Sequence, residues 1–482
     1  MDFGVLLHFI MAYAILSLMW EVSVLLPSSI QVLRIPSYPG KEELSLIVTK
    51  FGGSSMADAG HYRKIRDIIL SNPERKVVVV SAAGKQSKTD HKITDLLYLC
   101  FAHAQYGVDC SAVFQMIRDR YLQIRDELGI AMDLETEFDA LKAQVDAKAV
   151  TQDELVSRGE YFSARLMAAY LGFRFIDAAD WVKFNFDGTV DQAATYEALV
   201  RLYTGEGTVI PGFYGTLPTG QIKTFSRGGS DITGALAAAA LDADVYENWT
   251  DVSGILMADP RIVDNPQAIP EVTYDELREL SYSGAQVLHE GSIFPVREKN
   301  IPLNIRNTNA PEDPGTMIRE CFEEDHNPDR FITGITGMKD FTIISMTKRG
   351  MSNQVGVLRK MLTVLERHGI PVDYVPSGID NVSAVLATSD LAPHLYTVLG
   401  EIQKELEPDT LDTHDQIAVV AAVGRRMQGR PGISGKIFAA LGEANINIRM
   451  INQGPDELNI ILGVANKDFE KAIQVLYNSF VK

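Results

Sequence analysis

The sequence predicts an α/β protein: a three-layer α/β/α domain over residues 46–328, followed by two small α+β modules over 332–412 and 413–482. Two observations carry this prediction. In the first part, short β-branched runs end at small residues and give way to amphipathic helical patterns, the signature of a parallel sheet buried on both faces. The last third repeats itself at an offset of 76 residues, and self-similarity at a fixed period marks a duplicated folding unit. A chain of 482 residues has material for several packed cores, at roughly 100–200 residues per domain.

The strands follow in order. Leu46–Thr49 (LIVT) runs into Lys50-Phe-Gly-Gly-Ser-Ser55 and a helical pattern through Leu70. Val77–Val80 is a run of valines ending at Ser81-Ala-Ala-Gly84, and residues 90–150 read as helical. Further strands are expected at Phe173–Asp177, at Thr208–Pro211 before Gly212-Phe-Tyr-Gly215, and at Val245–Thr250. Helices on both faces of the resulting sheet give the three layers. In the last third, residues 351–378 align without gaps on 427–454, with Met351/Met427, Gly356/Gly432, Leu365/Leu441 and Gly378/Gly454 in register. The match extends to FTIISM over IAVVAA and to AVLA over IILG, so each copy reads strand, helix, strand, strand, helix. A glycine-containing strand-to-helix turn in each copy favours a small-ligand site over a bland duplication.

Composition excludes several functions. Lysine and arginine number 45 against 63 acidic residues, a net charge of −18, which argues against broad nucleic-acid binding. Cys100, Cys110 and Cys321 are too few and too scattered for a disulfide framework or zinc cluster, which points to a reducing compartment, the cytoplasm. Residues 3–20 form an apolar run with no formal charge apart from the one His8 can carry, at the lower length limit for a membrane span. Asp2 stands where a secretory signal carries positive charge, and no A-x-A-like site follows. A membrane anchor, a buried helix and a stretch upstream of the true translation start are the readings. The last is the expectation for 1–45, with no membrane association.

Four segments carry candidate chemistry. In Lys50-Phe-Gly-Gly-Ser-Ser55, Gly52 and Gly53 let backbone N–H groups approach a phosphate, and Lys50 adds a compact positive charge. The loop is not a Walker A motif, and by itself it fits a plain tight turn equally well. Phe225-Ser-Arg-Gly-Gly-Ser-Asp231 opens an alanine-rich helix; Arg227 can pair with a carboxylate, while Ser230 and Asp231 are N-cap types. Ser157-Arg-Gly-Glu160 begins another helix, where Glu160 either compensates the dipole or accepts a substrate ammonium. The polar stretch Asn248–Gly254, followed by Ala258-Asp-Pro-Arg261, reads as a nucleotide contact or a solvated loop.

KFGGSS (50–55), SRGE (157–160), PGFYG (211–215), SRGGSD (226–231) and WTDVSGILMADPR (249–261) together resemble the ordered motifs of aspartate kinases, within the amino-acid kinase superfamily. VPSGID (375–380) and NINIRMINQG (445–454) resemble that family's paired C-terminal ACT modules. The resemblance covers 46–482 and implies phosphorylation of the side-chain carboxylate of L-aspartate by ATP, with Mg²⁺ arriving on the nucleotide and no dedicated metal site. It implies Lys50 and Asp231 as catalytic residues, with Lys50 on the transferring phosphoryl group and Asp231 orienting it. Lys50, Phe51, Gly52, Gly53, Ser54, Thr250, Asp251, Arg261 and Gln286 would bind ATP; Thr94, Glu160, Arg227, Gly228 and Ser230 would bind aspartate. Met351, Gln354, Val357, Leu358, Val372, Asp373 and Ser377 would hold an amino-acid effector, lysine by expectation, in a homodimer. Leu256 and Gln286 depart from the Tyr and Lys common in the family.

The physical chemistry agrees. An aspartate side chain, pKa about 3.9, is already ionised at neutral pH and needs no general base; it needs in-line positioning and charge neutralisation. A kinase of another acid, such as glutamate or an acylated glutamate, and a non-catalytic amino-acid sensor are the competing readings.

Overall fold

The valine run gives the main sheet its two faces. In strand β2 (Arg75–Val80), Val77 and Val79 enter one apolar core and Val78 and Val80 another, because successive strand residues point to opposite faces. The computed structural model describes residues 45–481 except Arg227, residues 286–287, His289 and residues 323–329; the apolar run 3–20 lies outside the described residues. The sheet also contains β1 (Ile47–Phe51), β3 (Arg174–Phe175), β4 (Thr208–Pro211), β7 (Val245–Thr250), β8 (Glu271–Thr273), β9 (Leu303–Asn307) and β10 (Thr316–Arg319); β5 (Tyr214–Thr216) and β6 (Ile222–Thr224) form a separate hairpin. The order is β3-β4-β2-β1-β7-β9-β10-β8, parallel from β3 through β9, with β10 antiparallel to β9.

One face carries helix Gly229–Ala240, the other helices Ala59–Leu70, Ile93–Gln105, Ser111–Leu128, Leu134–Asp146 and Gln152–Leu171. The chain leaves β1 to build β2 on one side and later adds β7 on the other. The strand order therefore reverses between β1 and β7, and in open α/β sheets ligands bind beyond the strand carboxyl ends at such a point.

Three local expectations are corrected. The strand expected at 173–177 is confined to Arg174–Phe175. Ser157-Arg-Gly-Glu160 lies within a helix rather than at its start: Thr151 caps helix Gln152–Leu171 by accepting the Glu154 N–H, and Asp153 and Glu154 occupy the first turn. Glu160 is thus no dipole compensation. Ser230 and Asp231 do not cap helix Gly229–Ala240; Gly228 does, at φ 57°, which leaves the Asp231 side chain available for other partners.

The C-terminal third builds one five-stranded sheet from β11 (Gly334–Thr347), β12 (Asn381–Ala387), β13 (Thr410–Val423), β14 (Met450–Asn452) and β15 (Asn459–Ala465), in the order β12-β11-β13-β15-β14. Its two modules interlock rather than follow one another. Gly334–Met338 pairs with Val419–Val423 beside β15, while Ile343–Thr347 pairs with Thr410–His414 beside β12. The expected division at 412/413 therefore cuts through β13, and the first stretch of β11 serves the second module. Asp340 and Gln416, both at positive φ, lie where the ladder register shifts. The third element of the first copy is reduced to bridges at Tyr374 and Ser377, since Pro376 lacks an N–H and restrains Val375. The second copy, without that proline, forms β14. The second module shares a continuous apolar core with the main domain, whereas the first closes mostly on its own.

Candidate active site

The carboxyl ends of β1, β2, β4 and β7 meet in one cleft. Lys50 on β1 points to the face of helix Gly229–Ala240, where its Nζ lies 2.6 Å from Asp231 Oδ1. Asn248, paired in register with Lys50 on β7, donates from Nδ2 to the same Oδ1 at 2.9 Å. Beyond Lys50 the chain bends at Gly52 and Gly53, anchored to β7 by the Gly52 N–H donating to the Trp249 carbonyl at 3.2 Å. A Cβ on Gly52 would stand 3.5 Å from Lys50 Nζ, so glycine leaves the space above the ammonium open.

Two further close approaches complete the cleft. The Gly84 N–H donates to the Gly53 carbonyl at 2.8 Å, and a Cβ on Gly84 would come within 2.3 Å of that oxygen. Arg120 steadies this loop by donating to the Gly84 carbonyl at 2.9 Å and to Asp90 at 2.6 Å. After β4, a Cβ on Gly212 would lie 2.6 Å from Ser230 Oγ, and the Phe213 N–H donates to Thr233. The two glycine-lined bends, at Gly52–Gly53 and at Gly228–Gly229, meet through the Lys50–Asp231 pair.

Glu160 enters the same neighbourhood from below. Gly159 lets its helix approach until an added Cβ would be 2.8 Å from Ala82 Cβ, and the Ala82 N–H donates to the Glu160 carboxylate. Glu160 is buried, its Oε2 has no hydrogen-bond partner among the described residues, and burial pushes its carboxyl up to about 8. Thr94 is half-buried in the first turn of helix Ile93–Gln105, whose Ile93 N–H donates to the Ala83 carbonyl.

Other expected residues fall differently. Phe51 is fully buried and stacks on Trp249, and its backbone is paired with β2 and β7, its carbonyl accepting the Ser81 N–H at 3.1 Å; Ser54 is exposed. Thr250 donates to Asp251 at 3.2 Å at the end of β7. Arg261 is turned away onto Asp259 at 2.6 Å, its side chain 87% exposed. Arg227 and Gln286 lie outside the described residues. Sequence reading missed Asn248, Gly84 and the Ser55–Thr308 hydroxyl pair at 2.8 Å; the β7 period, which puts Asn248 on the face of Tyr246 and Thr250, was the available signal. It also missed the brace behind the site. Glu247 receives Arg75 at 2.8 and 3.1 Å and the Trp249 indole at 2.9 Å, with Arg75 and Arg306 near the Trp249 ring at 5.2 and 4.7 Å. This fixes β7 relative to β2 and β9.

In the regulatory part, the seven expected effector residues fall in two segments of the first module, and Val357 is buried in its core. Met351 and Gln354 follow β11, Val357 and Leu358 open helix Val357–Arg367, and Val372, Asp373 and Ser377 lie beside β12. Asp373 is half-buried rather than a solvated strand residue, and the Tyr282 hydroxyl donates to it at 3.3 Å.

Comparison with known proteins decides the family. Residues 45–307 match the amino acid kinase family and residues 420–480 an ACT domain. Aspartokinase 3 of Bacillus subtilis (strain 168) is 35% identical over 448 residues, covering 90% of this chain and 98% of that protein. The chain belongs to the aspartate kinases. The solved aspartate kinase of Clostridium acetobutylicum, described as an allosteric enzyme, is 46% identical at a TM-score of 0.83, covering 90% of this chain and all of that one. E. coli aspartokinase III, solved with aspartate and ADP (R-state) and with lysine and aspartate (T-state), is 26% and 27% identical, each at a TM-score of 0.70, with 91% of this chain and 100% of theirs covered. The α/β kinase fold with a C-terminal ACT region and the enzyme class read from the sequence stand with this membership.

Proposed function

We propose that this aspartate kinase transfers the terminal phosphoryl group of ATP to the side chain of L-aspartate through the cleft around Lys50, with Mg²⁺ carried in on the nucleotide. The carrying observation is the convergence of the buried Lys50–Asp231 pair, the glycine bends and the orphaned Glu160 oxygen on one switch point. Lys50 would hold the transferring group, with the Gly53 and Ser54 backbone N–H groups lining the phosphates, as oriented donors do best in a dry site. The Gly52 N–H is committed to the Trp249 carbonyl and Phe51 lies in the ladder between β2 and β7, so these two would shape the bend rather than donate. Mg²⁺, when bound, neutralises phosphate charge; the open space over Gly52 and the Asp231 carboxylate beside it fit a phosphate-borne ion. Glu160 would take the aspartate ammonium, whose hydrogen bond completes Oε2, while Thr94, Arg227, Gly228 and Ser230 would hold the remaining groups. Thr250, Asp251, Arg261 and Gln286 would face the nucleotide, Arg261 by leaving Asp259.

The same reading gives the first ACT module an amino-acid effector, lysine, at Met351, Gln354, Val357, Leu358, Val372, Asp373 and Ser377. E. coli aspartokinase III holding lysine supports it, as does the half-buried Asp373 carboxylate. Val355, Leu358 and Ile379 are exposed apolar residues of the first module, suited to burial against a second copy in a homodimer. Among the described residues no helix is long and apolar enough to cross a membrane, and a cytoplasmic location is part of the proposal. The test is ADP release with aspartate, with glutamate and acylated glutamate as competing acceptors, plus and minus lysine, threonine and methionine. Aspartate-dependent release that lysine suppresses is expected; release with another acid, or none, overturns the reading. Lys50→Ala is expected to lose most turnover while keeping its thermal unfolding midpoint, and unchanged turnover would remove Lys50 from the chemistry.

A further inference from the structure

Asn248 and Lys50 donate to one oxygen of Asp231, the amide at 2.9 Å and the ammonium at 2.6 Å. They stand side by side on β7 and β1, on strands about 4.8 Å apart, and Asp231 descends between them from the first turn of helix Gly229–Ala240. Asn248 is 3% exposed and Lys50 7%, so both donors are enclosed. β7 also grips the Asp231 backbone: the Tyr246 hydroxyl donates to its carbonyl at 3.0 Å. Gly234, one turn on, presses so close that a Cβ would reach 2.4 Å from that hydroxyl. Tyr246 and Asn248, two residues apart on one strand face, therefore fix Asp231 at its main chain and at its carboxylate.

A lysine that must meet a phosphoryl group has to be held without being captured. A carboxylate free to rotate would follow the ammonium and neutralise it where its charge is needed. A carboxylate whose Oδ1 is already pinned by an amide stays in place, and the other two N–H bonds of the ammonium remain free for the Gly52–Gly53 side. The pinning group is best neutral, since a second cation would compete with Lys50 and an anion would draw it away. We propose that Asn248 is a positioning residue for phosphoryl transfer: by fixing the Asp231 carboxylate it sets where the Lys50 ammonium meets the transferring group. This rests on the assignment of Lys50 to that group.

The test is a double-mutant cycle on the full chain with Asn248→Leu, which keeps the volume and loses the donor, Lys50→Met, and both together. Each protein is read as aspartate-dependent kcat and KM and, separately, as affinity for ADP with Mg²⁺ by calorimetry. Asn248→Leu is expected to lower kcat roughly 10- to 100-fold, the effect of losing one hydrogen bond to a charged group, with KM for aspartate changed less than about twofold. In the Lys50→Met background the same substitution is expected to matter little, because residues acting through one contact are not additive. Asn248→Asp is expected to turn over more slowly than Asn248→Leu, since its carboxylate repels Asp231 and competes for Lys50. Equal losses in both backgrounds, as a purely structural role would give, or an unchanged kcat in Asn248→Leu, overturn the inference. If the unsubstituted chain releases no ADP with aspartate, the acceptor assignment fails instead; coupling in ADP affinity then supports the positioning role and additivity overturns it.

Discussion

Glu160 carries a charge problem that its substrate would solve. Its carboxyl, ordinarily near 4.5, is pushed up to about 8 by burial, against which the Ala82 N–H works only in part. In the ligand-free protein at pH 7 it is mostly protonated, and an arriving ammonium favours the ionised form. Aspartate binding is therefore expected to release a proton from Glu160, approaching one per site near pH 7. Calorimetry in buffers of different ionisation enthalpy measures this, and Glu160→Gln should abolish it. The sign for stability follows from the same shift. A carboxyl raised on folding contributes stability that is fully present below about pH 4.5 and is lost as pH rises through about 8. Above that pH the ligand-free Glu160→Gln protein should melt higher than the unsubstituted one. Identical pH profiles for the two would show that burial does not hold this carboxyl in its neutral form.

At the scale of elements, what the sequence revealed and what it hid have different physical causes. β4 and β7 were legible to the residue: β4 is a short buried apolar run cut by a glycine turn, and β7, although it carries Glu247 and Asn248, shows its β-branched and aromatic residues before a polar turn. The SRGE helix was entered too late, because its real cap, Thr151, is a local signal standing before polar residues rather than before the apolar stripe. FTIISM and IAVVAA were legible as strands, but the interlocking of β11 and β13 was not: a repeat shows that two units exist, not which strand completes which. Asp373 was legible as a carboxylate but not as a contact, since its partner Tyr282 ends helix Tyr274–Tyr282 in another domain. That contact has a consequence for the effector. Tyr282 and Tyr374 meet edge to face at 6.3 Å, and the Thr336 hydroxyl donates to the Ser283 carbonyl at 3.3 Å, so the helix end and the loop toward Gln286 lean on the regulatory sheet. An effector ammonium reaching Asp373 must compete with the Tyr282 hydroxyl. Tyr282→Phe is expected to bind lysine about two- to tenfold more tightly, the effect of one modest hydrogen bond, while transmitting less of that binding to KM for ATP. Unchanged or weaker lysine affinity in calorimetry would show that the hydroxyl does not compete.

Across the whole molecule, catalysis and regulation are joined at a buried carboxylate. Glu276 belongs to the capping box of helix Tyr274–Tyr282, yet it is fully buried and reaches past its own cap. Besides the Thr273 N–H at 2.9 Å, it accepts the Thr333 hydroxyl at 2.6 Å, the Arg425 N–H at 2.8 Å and the Arg425 guanidinium at 2.7 Å. Thr333 precedes β11 and Arg425 follows β13, so one side chain holds the neighbouring ends of these two paired strands of the second module to the kinase domain. Burial alone would raise its pKa, but these donors outweigh it and hold the carboxyl below its ordinary value. Its contribution to stability is therefore present above about pH 4.5 and is lost as the solution is acidified below that. The continuous apolar core keeps the second module attached, while the clamp sets its angle. Glu276→Gln keeps the size and one acceptor but removes the charge facing Arg425, and breaking such a buried pair costs about 3–5 kcal/mol. The substituted chain is expected to unfold several degrees lower at pH 7, to lose that difference progressively as the solution is acidified below about pH 4.5, and to bind lysine normally while being inhibited less by it. A variant that melts like the unsubstituted chain at pH 7 and keeps full inhibition would place the coupling between the two functions in the apolar core instead.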